Sequence, residues 1–221
     1  MNTKKLLAVL VSVAMCGAAF AGCGNNADSS KAESKAESSS SQVEKMPETD
    51  EEWTQAMYDK AMVSYGNTSM MQNVIKKAQS GEKVTVAYLG GSITEGISAG
   101  ADGCYAKLTY DYFAQKFGTG DNVQYVNAGL SGTPSKLGIL RLDRDVLAYE
   151  PDICFIEFAV NDGTETDYQN AYESIVRTLL QKNITPVLLF SVTENDHSAQ
   201  DYMKQIGEFY HLSLIHISEP T

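Results

Sequence analysis

Four short apolar runs, separated by longer stretches with helical periodicity, constrain this chain more than any other feature of its sequence. The runs are residues 84–89, 123–126, 153–158 and 186–190. Runs that are apolar on both faces are typical of strands buried in a parallel sheet, which helices cover on each side. The sequence therefore predicts the α/β class, as a three-layer α/β/α sandwich with a parallel sheet.

The helices of this sandwich are predicted from the spacing of their apolar residues. Two short helices are expected within residues 51–78, before the first strand, with a break at Gly66 and Asn67. The later helices are expected at residues 105–117, 134–149, 168–181 and 199–210. Ligands of such sheets bind beyond the carboxyl ends of the strands, so the loops that follow the four strands are where a functional site is expected.

The amino terminus has the pattern of an export signal. Two lysines among the first five residues precede the apolar run 6–20, which is too short for a comfortable membrane-spanning helix. Small residues then lead to Cys23, as in a bacterial lipobox. We interpret residues 1–23 as a lipoprotein signal, with Cys23 as the acylated first residue of the mature protein. The alternative is a plain secretory signal, cut just before Cys23 or one residue earlier.

The segment that follows resembles a linker. Residues 24–50 are rich in serine, alanine and glutamate without apolar periodicity, and we interpret them as a disordered tether. A lipid anchor followed by a tether predicts an extracytoplasmic protein that contacts a bacterial membrane through its lipid only. The net charge of -11 leaves no basic surface for phosphates, so nucleic acid is not an expected partner. Cys104 and Cys154 are expected to be small buried residues rather than a disulfide framework.

The carboxyl terminus is unusual. Residues 212–221 resemble the translation of a transposase adapter used to prepare DNA-sequencing libraries. We interpret them as foreign residues that replace the natural chain after about His211, although their alternating apolar residues would otherwise predict a strand. The folded domain, residues 51–211, is then incomplete, with its last strand and helix missing. That loss is expected to expose apolar surface along one sheet edge.

The loops after the first three strands contain the residue types of an acyl-transfer site. Gly90 and Gly91 let the backbone turn sharply off the first strand and present the hydroxyl of Ser92 at the sheet edge. The second loop contains Gly129 and the third contains Asn161. Taken singly, each block has an ordinary explanation. The first is a glycine-rich turn, the second a loop glycine, and the third a turn-forming Asn-Asp-Gly. Their shared position, directly beyond parallel strands, favours a site.

Together these blocks resemble the SGNH/GDSL hydrolases, serine esterases and lipases with a flavodoxin-like sandwich. The resemblance covers about residues 84–211, and the ordered trio of blocks is more specific than any one of them. Two positions depart from the family pattern. Gly91 stands where the family usually has Asp, and Ala159 where it usually has Gly.

The resemblance implies a role for each block. Ser92 would be the nucleophile, and the Ser92 N–H, Gly129 and the Asn161 amide would form the oxyanion hole, with no metal or organic cofactor. The family's D-x-x-H block, which supplies the catalytic Asp and His, is absent from this chain. His197 and His211 lie in loose look-alikes of that block, and His197, which follows the fourth predicted strand, is a weak candidate for the base.

These observations predict a serine esterase that removes acyl groups, such as acetyl, from carbohydrate or another small ester outside the cytoplasm. Without the D-x-x-H block, this chain is expected to be inactive or nearly so. One alternative is a non-catalytic lipoprotein that binds a glycan or another ligand. Another is a flavodoxin-like binder of phosphate or flavin, with residues 90–94 as its anion loop.

One charged residue lies inside a predicted strand. Glu157 belongs to the apolar run 153–158, where a carboxylate is costly unless it is paired. We expect it to be structural, with Arg141 or Arg144 of the preceding helix as its partner. A catalytic role for Glu157 is the less favoured alternative.

Overall fold

A six-stranded sheet forms the middle of the protein. The structure is a computed structural model that describes residues 59–193 and 197–218. The strands are β1 (Met62–Ser64), β2 (Val84–Gly90), β3 (Val123–Gly129), β4 (Ile153–Glu157), β5 (Thr185–Val192) and β6 (Ser213–Ser218). They lie in the order β1-β6-β5-β4-β2-β3. All neighbours are parallel except β1, which is antiparallel to β6.

Helices cover both faces of this sheet. They are α1 (Ser69–Gln79), α2 (Ser92–Glu95), α3 (Tyr105–Phe117), α4 (Ser135–Asp145), α5 (Thr166–Gln181) and α6 (Gln200–Phe209). Helices α1 and α3 pack on one face, and α4, α5 and α6 pack on the other. The predicted three-layer sandwich is confirmed.

Strand β2 shows why the apolar runs form the central strands. All seven of its residues are buried. Val86 and Tyr88 face α1 and α3, whereas Ala87 and Leu89 face α4 and α5. A strand that is apolar on both faces is stable only when both sheet faces are covered. Each large aliphatic side chain contributes about 1.5–3 kcal/mol when it is fully buried.

The structure corrects two of the predicted helices. The predicted helix 134–149 is shorter, because α4 ends at Asp145 and a 3₁₀ turn (Leu147–Tyr149) follows it. The helix expected before Gly66 is wrong at residues 62–64, which form β1 along the edge of β6. Met62 packs against one core and Val63 against the other, so the pairing along β6 satisfies the backbone and partly buries both side chains.

The expectation that loss of the last strand and helix exposes one sheet edge is also wrong for this structure, whereas the loss itself stays a prediction. Residues 213–218 form β6, which pairs in parallel with β5. Leu214 and Ile215 are 0% and 2% exposed and pack into opposite cores, so the edge of β5 is covered rather than exposed. An alternating apolar segment fits this edge whatever its origin. That residues 212–221 are foreign to the natural chain stays a prediction.

The predicted signal with Cys23, the tether 24–50 and the first residues of the predicted domain lie outside the described residues. In the part of the chain that the structure describes, no helix is both long and apolar enough to cross a membrane. Cys104 and Cys154 are free and buried, one directly before α3 and one inside β4, as expected. Burial raises the pKa of the Cys154 thiol to about 12, so it is protonated and unreactive at neutral pH.

Candidate active site

The parallel pairing brings the three predicted loops to one edge of the sheet. Gly90 at the end of β2 is in register with Gly129 at the end of β3 on one side and with Glu157 at the end of β4 on the other. Ser92 follows two residues after Gly90, and Asn161 follows four residues after Glu157. The carboxyl edge of the sheet therefore gathers all three blocks, where ligands of such sheets bind.

Ser92 is the first residue of the short helix α2, directly after Gly91. The first N–H groups of a helix have no acceptor within it. Among the described residues, neither the N–H nor the hydroxyl of Ser92 takes part in a hydrogen bond. Both groups are therefore available to a ligand.

Asn161 lies against the turn that carries Ser92. A Cβ atom at position 91 would be only 2.2 Å from Asn161 Oδ1, so the amide packs closely on this turn. The amide oxygen is buried and has no hydrogen-bond partner among the described residues. An unpaired buried polar atom costs about 1–3 kcal/mol, and such atoms in a folded protein often mark a functional site.

Gly129 packs directly on helix α2. A Cβ atom at this position would lie 2.2 Å from the backbone nitrogen of Glu95. The Gly129 N–H donates to Asn127 Oδ1 at 2.8 Å, and Asn127 Nδ2 donates to the Thr94 carbonyl at 2.8 Å. The predicted donation from Gly129 to an oxyanion therefore requires this N–H to leave Asn127.

A second glycine of the same loop was missed from the sequence. Gly132 has a φ of 69°, in the left-handed region that favours glycine. Its N–H donates no hydrogen bond within the described residues. The Ser-Gly pair that ends the loop was the available signal, because it is typical of a turn that needs a positive φ.

Comparisons with known proteins agree with this arrangement. Residues 88–215, more than half of the chain, match the GDSL-like Lipase/Acylhydrolase family. The chain belongs to this family. A search of curated proteins found no match.

The fold of this GDSL-like protein is similar to that of solved esterases. The crystal structure of a two-domain esterase (CEX) active on acetylated mannans has 31% sequence identity and a TM-score of 0.69. That match covers 72% of this chain but 44% of the esterase. The acetyl xylan esterase AlAXEase has 23% identity, a TM-score of 0.51 and coverages of 60% and 77%. The psychrotrophic esterase EstA from Pseudoalteromonas sp. has 21% identity, a TM-score of 0.50 and coverages of 60% and 76%. The last two matches show the fold alone.

In this GDSL-like protein, a buried arginine holds the ends of two strands. Arg141 on α4 is 8% exposed, and its guanidinium donates to the Ala128 carbonyl at 2.6 Å and to the Gly90 carbonyl at 3.0 Å. It also pairs with Asp145. These carbonyls directly precede Gly129 and Gly91, so Arg141 fixes the two loops relative to each other.

The predicted pairing of Glu157 with Arg141 or Arg144 is wrong. Glu157 accepts hydrogen bonds from Ser191 Oγ and, at 3.4 Å, from Thr94 Oγ1. Residues 153, 155 and 157 of β4 point toward α1 and α3, whereas α4 packs on the opposite face. The sheet itself therefore separates the carboxylate from both arginines, and Arg144 is exposed and pairs with its neighbour Asp145.

The hydroxyl groups around Glu157 connect it to the nucleophile turn. Thr94, two residues after Ser92, shares a hydrogen bond of 2.8 Å with the buried hydroxyl of Tyr105. Burial, and then the Glu157 carboxylate, hold the pKa of Tyr105 well above its usual range. Tyr105 is therefore a neutral hydroxyl in this buried network.

Asp162, the residue after Asn161, is a second support that the sequence did not reveal. It is 1% exposed and accepts hydrogen bonds from the Ser135 N–H at 2.7 Å and the Tyr202 hydroxyl at 2.8 Å. Burial raises its pKa, and the two hydrogen bonds oppose that shift. Asp162 thus ties the turn of Asn161 to the first residue of α4 and to α6.

The chain has three histidines, and none has its imidazole hydrogen-bonded to Ser92. His197 lies beyond β5 at the active edge and is exposed, and its N–H donates to Thr193 Oγ1 at 3.0 Å. His211 precedes β6, so it lies at the opposite edge of the sheet. His216, inside β6, is half-buried, and burial lowers its pKa. Within the described residues, no group of three or more His, Cys, Asp or Glu side chains is arranged to hold a metal ion.

Proposed function

We propose that this protein is an extracytoplasmic serine esterase that removes acyl groups, such as acetyl, from carbohydrate. The observation that carries the proposal is the free hydroxyl and N–H of Ser92 beside the buried amide of Asn161. The activity of the mannan esterase CEX on acetylated mannans supports a carbohydrate ester as the substrate class.

In the proposed reaction, Ser92 Oγ attacks the ester carbonyl carbon while a histidine takes its proton. The carbonyl oxygen becomes an oxyanion, which receives hydrogen bonds from the Ser92 N–H, a glycine N–H of the β3–α4 loop and the Asn161 amide. The tetrahedral intermediate then collapses, the histidine returns the proton to the departing sugar oxygen, and water hydrolyses the acyl-enzyme.

The glycine donor is either Gly129, as predicted, or Gly132. The Gly132 N–H is the better candidate, because it has no acceptor to give up among the described residues, whereas Gly129 donates to Asn127. Donors that are free before the reaction need no reorganisation when charge develops, which is the condition for effective oxyanion stabilisation.

We further propose that the 221-residue chain is a poor esterase as it stands. No imidazole hydrogen-bonds to Ser92 among the described residues, and a serine without a base is a weak nucleophile. The Asp and His of the family's missing block are then supplied by natural chain beyond about His211.

The test uses the gene product with its natural carboxyl end, read from the source gene. It should hydrolyse p-nitrophenyl acetate and acetylated mannan, and a fluorophosphonate should modify Ser92. Ser92→Ala should abolish both reactions. Ser174→Ala is the matched control, since this serine lies on an exposed face of α5 and, in the residues that the structure describes, its hydroxyl donates only to the Asn170 carbonyl. Turnover retained by Ser92→Ala would overturn the assignment.

A glycan-binding lipoprotein without catalysis is the second candidate, favoured by the lack of an imidazole on Ser92 among the described residues. Calorimetry with acetylated mannan distinguishes the two functions. Saturable binding without release of acetate by the natural gene product would favour the binding protein. A yellow protein that carries flavin would favour the flavodoxin-like alternative.

The proposed location depends on Cys23, which the signal pattern predicts as the lipidated residue. In a bacterial host, wild-type protein should be found in the membrane fraction, and Cys23→Ser should be found in the soluble one. Mass spectrometry of the amino-terminal peptide should detect the acyl chains. An unmodified Cys23 in exported protein would support the plain secretory signal instead.

A further inference from the structure

The carboxylate of Glu95 connects the nucleophile helix to the β3–α4 loop. Glu95 is the last residue of α2, one turn after Ser92, and its N–H donates to the Gly91 carbonyl at 3.0 Å. Its Oε2 accepts the Ser131 N–H at 2.6 Å. Among the described residues, Glu95 takes part in no ion pair, so this bond is not an incidental part of a surface salt bridge.

The loop that receives this bond is also held by hydrogen bonds on both sides of Ser131 and Gly132. The Leu130 N–H donates to the Gly90 carbonyl at 3.0 Å, and Thr133 Oγ1 donates to the Leu130 carbonyl at 2.7 Å. Between them, the Ser131 N–H is bound to Glu95 and the Gly132 N–H is free. Glu95 is thus the side chain that fixes the peptide directly before the free donor.

The packing of the backbone supports the same role. Position 129 has no room for a Cβ atom, because the backbone of Glu95 lies against its Cα. The start of the β3–α4 loop therefore contacts α2 through main-chain atoms at Gly129. Two residues later, the Glu95 side chain adds a second contact through its bond to Ser131.

We propose that Glu95 is a positioning residue, whose carboxylate holds Ser131 so that the Gly132 N–H stays directed at the oxyanion formed on Ser92. This inference rests on the proposed esterase function. It assigns a part of the reaction to a residue that touches neither the nucleophile nor the substrate. What this role requires is an acceptor oxygen on a side chain long enough to reach the Ser131 N–H, rather than a negative charge.

Two conservative substitutions separate reach from charge. Glu95→Gln keeps an acceptor oxygen at the same distance and loses the charge, whereas Glu95→Asp keeps the charge and is one methylene shorter. The proposal expects Gln to behave as wild type and Asp to behave as Glu95→Ala. Glu208→Ala is the matched control, because within the described part of the chain this glutamate side chain forms only a surface pair with Lys204, at 3.7 Å on α6.

The first measurement follows the backbone amides of ¹⁵N-labelled protein and needs no turnover. The Ser131 resonance should move upfield, and its hydrogen exchange should become faster, in Glu95→Asp and Glu95→Ala but not in Glu95→Gln. A Ser131 amide that is unchanged in Glu95→Asp would overturn the inference. If Glu95→Ala does not fold, the Gln and Asp variants give the same answer.

The second measurement is the kinetics of the natural gene product. In Glu95→Asp, kcat for p-nitrophenyl acetate should fall about tenfold or more with little change in KM, since an oxyanion donor acts only in the transition state. Glu95→Gln and Glu208→Ala should stay within about twofold of wild type. Wild-type kinetics in Glu95→Asp, despite a shifted Ser131 amide, would overturn the catalytic part. If wild-type Ser92 is unreactive, the proposed function fails, while the amide measurement still decides whether Glu95 holds the loop.

Discussion

The active edge of the sheet has two halves that are built differently. The half at the ends of β2, β3 and β4 holds Ser92, Gly132 and Asn161, and two buried charges on opposite faces of the sheet support its turns: Arg141 through backbone carbonyls and Glu157 through Thr94. Among the described residues, the half beyond β5 holds His197 only through its backbone N–H and carbonyl. The nucleophile half is thus fixed by the folded core, whereas a base depends on the chain that follows β5.

Supplying a base is expected to have the largest effect. The gene product with its natural carboxyl end should hydrolyse p-nitrophenyl acetate about 10²–10⁴-fold faster than the 221-residue chain, which is the usual contribution of general acid–base catalysis. Initial rates at equal concentrations of folded protein check this. Equal rates would place the base within this chain, and His197→Ala would then test the histidine at the active edge.

Removing the Asn161 amide tests whether this residue donates to the oxyanion in the nucleophile half. Asn161→Ala in the natural gene product should lower kcat about 10²–10³-fold, the cost of losing one oxyanion donor, with little change in stability. Steady-state kinetics and thermal melting separate the two effects. If the melting temperature also falls strongly, the loss of rate would be due to a damaged fold, and Asn161 would be assigned a structural role instead.

The buried arginine tests how strongly this half is fixed. Arg141→Met should lower the free energy of unfolding by about 3 kcal/mol, because two buried carbonyls lose a charged donor. Arg144→Met, which changes an exposed arginine of the same helix, should cost much less. Urea unfolding of both variants makes the comparison, and similar losses would remove the special role of Arg141.

The smallest predicted effect is the pH dependence due to Asp162. Burial raises its pKa in the folded protein, so the folded state binds this proton more readily than the unfolded state does. Its contribution to stability is therefore greatest at low pH and decreases as the pH rises through the folded pKa. The difference in unfolding free energy between wild type and Asp162→Asn should change in this direction between acid and neutral pH. A difference that is independent of pH would contradict the raised pKa.

Local patterns in the sequence were sufficient for most of the fold. The bounds of α3 agree with the predicted helix 105–117, since its apolar spacing and Gly118 act within a few residues. Residues 62–64 were predicted to be helical and instead pair with β6, because only the assembled sheet creates the edge that they cover. Local periodicity contains no information about such a distant partner.

The site divides in the same way. The sequence by itself determined that Ser92, the glycine loop and Asn161 follow successive parallel strands, because strand order and direction bring such loops to one edge. Only the tertiary structure decided which groups are free there. In the folded protein, the Gly129 N–H donates to Asn127, whereas the Gly132 N–H is free among the described residues. Glu95 accepts a hydrogen bond from Ser131, and the sheet lies between Glu157 and Arg141. These outcomes depend on which side chains share a face and how closely backbones approach, and both are set by packing between segments far apart in the chain.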